Sequence, residues 1–165
     1  MSVQPLCLAP DGVLRTLAHP VEEFTEALQA LVRDLIDTMY ANGGVGLAAP
    51  QIGQAMQGFV TNPSRERGRE LVVVNPTLEA MDGRVVVTEG CLSVPNFWRK
   101  VRRSKRIRVR GQDPFGKPLD IEANGLLAIT VQHEWDHLHG TLFIDRLPWF
   151  ERLRLRGRLA SRACA

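Results

Sequence analysis

The segment that most constrains this chain is Gln132-His133-Glu134-Trp135-Asp136-His137, which contains a His-Glu-x-x-His pattern. On an α-helix, residues four apart project from one face about 5–6 Å apart. Two imidazole nitrogens so placed can bind one ion at about 2.0–2.1 Å from each. The glutamate between them then lies beside whatever else the ion holds, usually a water. The pattern predicts His133 and His137 as metal ligands and Glu134 as a general base. A buried helix whose histidines only form hydrogen bonds is the alternative, and the placement of Glu134 weighs against it.

The pattern leaves the third metal ligand open. Zincin-type proteases use a downstream Glu or His, but His139, Asp145 and Glu151 follow without a helical context that aims them at the same face. Upstream, Glu89-Gly90-Cys91-Leu92-Ser93 ends a strand-like run, and a thiolate is a strong ligand for borderline and soft divalent metals. Two histidines and Cys91 would leave a fourth position open, as catalytic rather than structural sites do. We therefore predict Cys91 as the third ligand.

Length and composition indicate one soluble globular domain spanning residues 1–165. The chain has 165 residues, of which 44% are hydrophobic and 24% are charged, a balance typical of soluble proteins with an ordinary core. No segment approaches the roughly 20 apolar residues of a membrane span, and the start lacks a signal-peptide pattern. Three cysteines, Cys7, Cys91 and Cys164, do not make a disulfide framework and fit a reducing cytoplasm.

Hydrophobic periodicity predicts an α+β fold. An amphipathic helix is predicted over residues 25–42 and a largely buried helix over residues 126–138, which carries the His-Glu-x-x-His pattern. Strands are predicted over residues 57–61, 70–78, 84–89, 105–111 and 118–123, with turns at Asn62-Pro63, Asp82-Gly83 and residues 113–116. A C-terminal helix is predicted from residue 148 to about residue 163, within the segment 148–165. We expect mixed or antiparallel sheets around the central helix, flanked by the N-terminal and C-terminal helices.

Three blocks of sequence occur in a fixed order along the chain. They are Gly44-Val45-Gly46-Leu47-Ala48-Ala49-Pro50-Gln51, Glu89-Gly90-Cys91-Leu92-Ser93 and Gln132-His133-Glu134-Trp135-Asp136-His137-Leu138. Together they resemble the peptide deformylases, and the resemblance covers nearly the whole chain and fits the short bacterial form. It implies a metal-dependent hydrolase, acting on a linear amide, that removes the N-formyl group from the N-terminal methionine of new proteins and releases formate.

The resemblance also implies roles for individual residues. Cys91, His133 and His137 would hold the metal, and Glu134 would move the proton from water to the leaving amine. The side-chain amide of Gln51 and the backbone N–H of Leu92 would donate hydrogen bonds to the oxyanion.

Substrate contacts follow from the same resemblance. The peptide would bind as an added strand along the backbone of Val45, Gly46 and Gly90. Side chains expected to line an apolar pocket for methionine are Val87, Leu126, Ile129 and His133, although Leu126 and Ile129 fit a simple core equally well. Phe97 and Trp98 are expected at the cleft rim, and Arg103 in a structural salt bridge such as one with Glu89.

Metal and partner expectations have two sources. The ligand types favour zinc, with nickel or cobalt as alternatives, whereas the resemblance implies Fe(II) in the cell. The Arg-rich C-terminal helix, or the basic strand over residues 102–110, could dock on ribosomal RNA, and a solvated charged face explains the strand equally well. No membrane or DNA partner is expected.

Four other classes remain open from the sequence. A zinc metallopeptidase would share the pattern but not Cys91 as ligand, and a cysteine-nucleophile enzyme would use Cys91 with His133 and need no metal. A non-catalytic metal-binding relative is disfavoured by the intact Glu134. An RNA-binding module would lack the interleaved aromatic residues that stack on bases.

Overall fold

A computed structural model describes residues 2–153 of the chain. Two α-helices, α1 (Glu26–Ala41) and α2 (Gly125–Leu138), accompany five strands and three short 3₁₀ helices. The strands are β1 (Gly46–Ala48), β2 (Gly58–Thr61), β3 (Leu71–Cys91), β4 (Val94–Gln112) and β5 (Pro118–Asn124), and the 3₁₀ helices are Gly12–Arg15, Ala49–Ile52 and Phe143–Arg146. The strands form one antiparallel sheet in chain order, and none of the described helices is long and apolar enough to cross a membrane. The fold is therefore α+β with an antiparallel sheet.

Both predicted helices of the described region are present, and the strand pattern differs in three places. β1 was not predicted, β4 begins at Val94 rather than at residue 105, and two of the predicted strands are joined. The predicted turn at Asp82-Gly83 is wrong, because β3 continues through it and Asp82 pairs with Arg106. A shift of register between Ala80 and Asp82, and a φ of +65° at Gly83, absorb the irregularity as a bulge. The strands predicted over residues 70–78 and 84–89 are thus one long strand in a hairpin with β4.

Arginines and apolar residues alternate along Arg106–Arg110 of β4. Ile107 and Val109 are buried and belong to the main core beneath α2, while the arginines between them point away from that core. This core also contains Phe59, Val73 and Val131. Alternation of this kind is what one buried sheet face requires, and it leaves α2 packed against the sheet.

Two further clusters bring the remaining segments against the sheet. The inner face of α1 contributes Leu35 and Met39, which pack with Leu47 of β1 and Val60 of β2. On the other side, a cluster that includes Phe143 joins the N-terminal segment to the start of β4. Residues 149–153 are helical, whereas the rest of the predicted C-terminal helix lies outside the described residues.

Candidate active site

Three possible metal ligands converge at the end of β3 and on α2. Cys91 is the last residue of β3, and His133 and His137 lie one turn apart on α2. One donor atom from each lies within 4.8 Å of the others, and Cys91 Sγ and His137 Nε2 are 3.3 Å apart. Tetrahedral coordination, with metal–sulfur and metal–nitrogen distances of about 2.3 and 2.0–2.1 Å, separates sulfur and nitrogen by about 3.5 Å. The observed spacing therefore fits a single ion held by all three side chains.

A buried ionic network lies behind His133. Its Nδ1 atom is 2.9 Å from Oε2 of Glu89, and Arg103 donates to both oxygens of that carboxylate, at 2.6 and 2.8 Å. Arg103 also donates to Asp136 at 2.7 Å, and Asp136 accepts further hydrogen bonds from Arg146. The structural salt bridge expected between Arg103 and Glu89 is present, and both side chains are nearly inaccessible to solvent.

The network sets the charge states of its members. Burial opposes ionisation of Glu89, but hydrogen bonds from Arg103 and His133 outweigh it and lower the pKa of Glu89 to about 2. Burial also disfavours a charged His133, yet its contacts with Cys91 and Glu89 raise its pKa well above the ordinary value. For His137, burial and the nearby cations lower the pKa well below the ordinary value. His137 is thus already in the neutral form that a metal requires, whereas metal binding at His133 has to release a proton.

Glu134 lies between the two histidines and against the backbone of β1. A Cβ atom added at Gly46 would lie 2.3 Å from Glu134 Oε1 and 2.7 Å from Thr130 Cγ2, so only glycine fits there. Oε2 of Glu134 is buried and has no hydrogen-bond partner among the described residues. Burial raises the pKa of Glu134 to about 7, with Glu89 and Asp136 adding to the shift and His133 and Arg103 opposing it. A carboxylate with such a pKa suits proton transfer near neutral pH.

Gln51 reaches the same place from the 3₁₀ helix that follows β1. Its Oε1 atom accepts a hydrogen bond from the Ala48 N–H at 2.9 Å. Its Nε2 atom donates to Ser93 Oγ at 3.1 Å and lies 3.6 Å from Cys91 Sγ. Leu92 and Ser93 form the two-residue turn that joins β3 to β4, since Cys91 pairs with Val94. The fold therefore brings the side chain of Gln51 and the turn containing Leu92 beside the three possible ligands.

The predicted substrate-binding residues border this cluster. Gly46 begins β1, an edge strand of the sheet, and Val45 immediately precedes it. Gly90 immediately precedes Cys91, and a Cβ atom there would lie 2.6 Å from the ring of Trp98. That contact puts the ring of Trp98, which is 65% exposed, over Gly90.

The predicted pocket residues lie on β3 and on the first turns of α2. Val87 and Ile129 are half-buried, and Leu126 is 53% exposed, which excludes Leu126 from the core. Leu126 and Ile129 are spaced three residues apart and Ile129 and His133 four apart, so the three share one face of the helix.

Several residues with contacts to the site were not found from the sequence. Phe143 stacks on the ring of His133 with centroids 6.0 Å apart, and its other neighbour is Phe97, at 6.1 Å, which the sequence did single out. Asp136 and Ser93 stood inside the quoted blocks without an assigned role. The sequence signal for Asp136 and Ser93 was their position within those blocks, whereas Phe143 lies in an apolar stretch without a distinguishing pattern.

The sequence and the fold were compared with known proteins. The sequence profile of the polypeptide deformylase family matches residues 3–152. A peptide deformylase from Chromobacterium violaceum is 45% identical over 153 residues, which cover 93% of this chain and 92% of that protein.

Solved structures give the same result. A peptide deformylase from Legionella pneumophila superposes with a TM-score of 0.91 and 41% identity, covering 98% of this chain and 96% of that one. For a peptide deformylase from Thermotoga maritima the TM-score is 0.85 and the identity 39%, with coverage of 90% and 99%. Both similarities extend over nearly the full length of each chain.

Proposed function

Because the chain belongs to the polypeptide deformylase family, whose members hydrolyse the N-formyl group of new polypeptides, we propose that Cys91, His133 and His137 hold its catalytic metal ion and that Glu134 is its general base. The observation that carries this proposal is the convergence of three donor atoms within 4.8 Å beside a buried carboxylate whose Oε2 atom has no partner among residues 2–153. A structural carboxylate at such a depth would be paired. Glu134 instead keeps an acceptor available for a reacting proton.

The residues divide the reaction between them. When bound, a divalent ion lowers the pKa of water and polarises the formyl oxygen. The carboxylate of Glu134 takes the proton from the attacking water and delivers it to the leaving amine. The Nε2 amide of Gln51 and the backbone N–H of Leu92 donate hydrogen bonds to the oxygen that gains negative charge. Formate and a free N-terminal amine are the products.

The peptide substrate is proposed to bind as an added strand. β1 is an edge strand, so backbone groups of Val45 and Gly46 can pair with an extended peptide, whose other side would face Gly90. Val87, Leu126 and Ile129 would line the pocket for the methionine side chain. Their partial exposure supports a cleft that a ligand can enter rather than a closed core.

We propose Fe(II) as the ion in the cell, with zinc, nickel or cobalt replacing it in protein purified in air. Two imidazoles and a thiolate suit all of these ions, and an iron–thiolate centre is vulnerable to oxidation of the sulfur ligand. Metal analysis after anaerobic and aerobic purification tests this: iron in the first preparation and its loss in the second are expected. Zinc as the major metal in both would overturn it.

The cellular setting is also a proposal. We infer a single catalytic domain over residues 1–165 that acts in the cytoplasm on N-formylmethionyl chains. Docking on the ribosome through residues 148–165 stays a prediction, since most of that segment lies outside the described residues. The basic strand is less suited to the role, because Arg106 pairs with Asp82 and both Arg108 and Arg110 pair with Asp120.

One assay tests the proposed function. Formate release from formyl-Met-Ala-Ser is measured for the wild type and for Glu134→Ala, with metal content determined on both. Full metal content without turnover in the variant is the expected result, and equal turnover in both proteins would overturn the proposal. Cleavage of an internal peptide bond in an unformylated peptide would instead favour the zinc metallopeptidase.

A further inference from the structure

We propose that Ser93 is a positioning residue for deformylation: its hydroxyl fixes the carboxamide of Gln51 so that one N–H of that amide faces the oxyanion. This inference rests on the proposed role of Gln51 as an oxyanion donor. Ser93 is completely buried, and its Oγ atom accepts the hydrogen bond from Gln51 Nε2 at 3.1 Å.

Two partners together determine which way the Gln51 amide points. The Ala48 N–H can only donate, and it lies 2.9 Å from one end of the carboxamide, so that end is the oxygen. The other end is therefore the NH₂ group, and Ser93 accepts one of its two hydrogens. Because the amide is planar, fixing one N–H fixes the direction of the second. The second N–H is the one available on the side of Cys91, whose Sγ atom is 3.6 Å away.

Ser93 also belongs to the turn that carries the other proposed donor. Leu92 and Ser93 connect β3 to β4 as a two-residue turn. Such turns usually require positive φ values, and the described residues with positive φ include neither of them. The turn is instead held from outside, because the Ala9 N–H donates to the Ser93 carbonyl at 2.8 Å. One residue thus ties the Gln51 side chain to the backbone on which the Leu92 N–H is carried.

Loss of the Ser93 hydroxyl has a definite consequence for Gln51. The amide of Gln51 is nearly inaccessible to solvent, so an N–H that loses Ser93 as its acceptor does not reach bulk water as a replacement. The acceptor left within reach is the sulfur of Cys91. Held only by the Ala48 N–H and this 3.6 Å contact, the carboxamide can rotate, and the second N–H no longer keeps its direction toward the oxyanion. Since the oxyanion develops after the substrate is bound, kcat rather than KM would fall.

A double-mutant cycle on deformylation tests the proposal. The proteins are the zinc-loaded wild type, Ser93→Ala, Gln51→Ala and the double variant, with formyl-Met-Ala-Ser as substrate and metal content measured on each. Gln51→Ala should lower kcat by about 10²–10³-fold, as removal of one oxyanion donor does. Ser93→Ala should lower kcat about 10-fold to 100-fold, as a small misplacement of a reacting group does, with little change in KM. In the Gln51→Ala background, Ser93→Ala should have no further effect.

Conservative and matched variants complete the design. Ser93→Thr keeps the hydroxyl and should recover most of the kcat lost in Ser93→Ala, while Ser104→Ala, at a half-buried serine further along β4, should keep wild-type kcat. Should Ser93→Ala fail to fold, Ser93→Cys replaces it in the same cycle, since a thiol fills the site but accepts hydrogen bonds weakly.

The outcomes separate this inference from the proposed function. Equal losses from Ser93→Ala with and without Gln51 would overturn the positioning role and leave deformylation intact. Wild-type kcat in Gln51→Ala would overturn the proposed oxyanion role itself, and with it the inference.

Discussion

Oε2 of Glu89 lies 2.9 Å from Nδ1 of His133, and this contact determines which nitrogen of the imidazole faces the proposed metal site. The pKa of Glu89 is about 2, because hydrogen bonds from Arg103 and His133 outweigh the effect of burial. An ionised carboxylate only accepts hydrogen bonds, so Nδ1 carries the proton. Metal binding has to release the second proton of this imidazole, which is on Nε2, and Nε2 is then the nitrogen that can bind an ion. The ring is held in place by Glu89, which is itself fixed by Arg103.

Glu89→Gln should therefore weaken metal binding without removing a ligand. A glutamine can present its NH₂ group to either neighbour, and it accepts only one strong hydrogen bond where the carboxylate accepted several. Loss of such a supporting contact typically costs about 10–100-fold in metal affinity, which competition with a zinc chelator measures. Glu22→Gln, at an exposed position, is the control. Unchanged zinc affinity in Glu89→Gln would show that His133 needs no support from Glu89.

Cys91→Ala should abolish both metal content and deformylation, whereas Cys7→Ala should preserve both. Cys91 Sγ is 3.3 Å from His137 Nε2, as two ligands of one ion would be, while Cys7 does not belong to the group of converging donor atoms. Metal analysis and formate release measure the outcome. A zinc metallopeptidase with another third ligand would stay metallated in Cys91→Ala, and a cysteine-nucleophile enzyme would be active in the presence of chelator.

In the metal-free protein, ionisation of Glu134 should lower the free energy of unfolding as pH rises. Burial raises the pKa of this carboxyl in the folded protein from 4.5 to about 7. The stability linked to its protonation is therefore fully present below pH 4.5 and is lost as pH rises through 7. The difference corresponds to about 3 kcal/mol. Glu134→Gln does not titrate, so in chelator its free energy of unfolding should gain on the wild type by about that amount between pH 4.5 and 8.

Urea unfolding of both proteins at several pH values measures this difference in the free energy of unfolding. Comparing variant with wild type at each pH cancels the titration of the shared groups that do not interact with residue 134. His133 does interact with it, so the comparison reports the coupled pair. Zinc should reduce the difference in the free energy of unfolding between Glu134→Gln and the wild type at pH 8, because a cation stabilises the ionised carboxylate. A stability difference that is the same at pH 4.5 and at pH 8 would contradict the raised pKa.

The helices and the two histidines of the proposed metal site were predictable because their signals are local. The helix predicted over residues 25–42 is α1, and the spacing of His133 and His137 defines one helical face. Cys91 was predicted from its chemistry, since a thiolate is a strong ligand for borderline and soft divalent metals.

The long hairpin and the supporting contacts were not predictable from local patterns. Asp82-Gly83 reads as a turn, and only pairing with a distant strand makes it a bulge. The contacts of Ser93 with Gln51 and of Phe143 with His133 join residues on different elements of the fold. The hydrophobic periodicity of these segments does not indicate which residues they contact, so these contacts are seen only in the folded structure.

Gly46→Ala should disable the site by displacing Glu134. The added methyl carbon would lie 2.3 Å from Glu134 Oε1 and 2.7 Å from Thr130 Cγ2, so β1 and α2 have to move apart. Overpacking of this kind costs about 1–3 kcal/mol of stability, and displacement of a reacting group by about 1 Å costs on the order of 100-fold in rate. Gly12→Ala, where the added carbon meets nothing within 4 Å, should keep wild-type kcat and melting temperature. Wild-type kcat in Gly46→Ala would contradict the close contact with Glu134.

Gly90 and Trp98 should show a compensating pair of substitutions. A Cβ atom at Gly90 would lie 2.6 Å from the indole of Trp98, so Gly90→Ala must displace either the ring or the backbone beside Cys91. The ring is 65% exposed and packs over a residue without a side chain, an arrangement that stabilises glycine in strands. Gly90→Ala should therefore lower kcat/KM by about 10-fold or more if the backbone yields. Trp98→Ala in the same chain should then restore most of the lost kcat/KM, because it removes the atoms that the new methyl group contacts.

Trp98→Ala alone is the control for any direct role of the indole in peptide binding. If the double variant is as impaired as Gly90→Ala, the requirement for glycine comes from the approaching peptide strand rather than from Trp98.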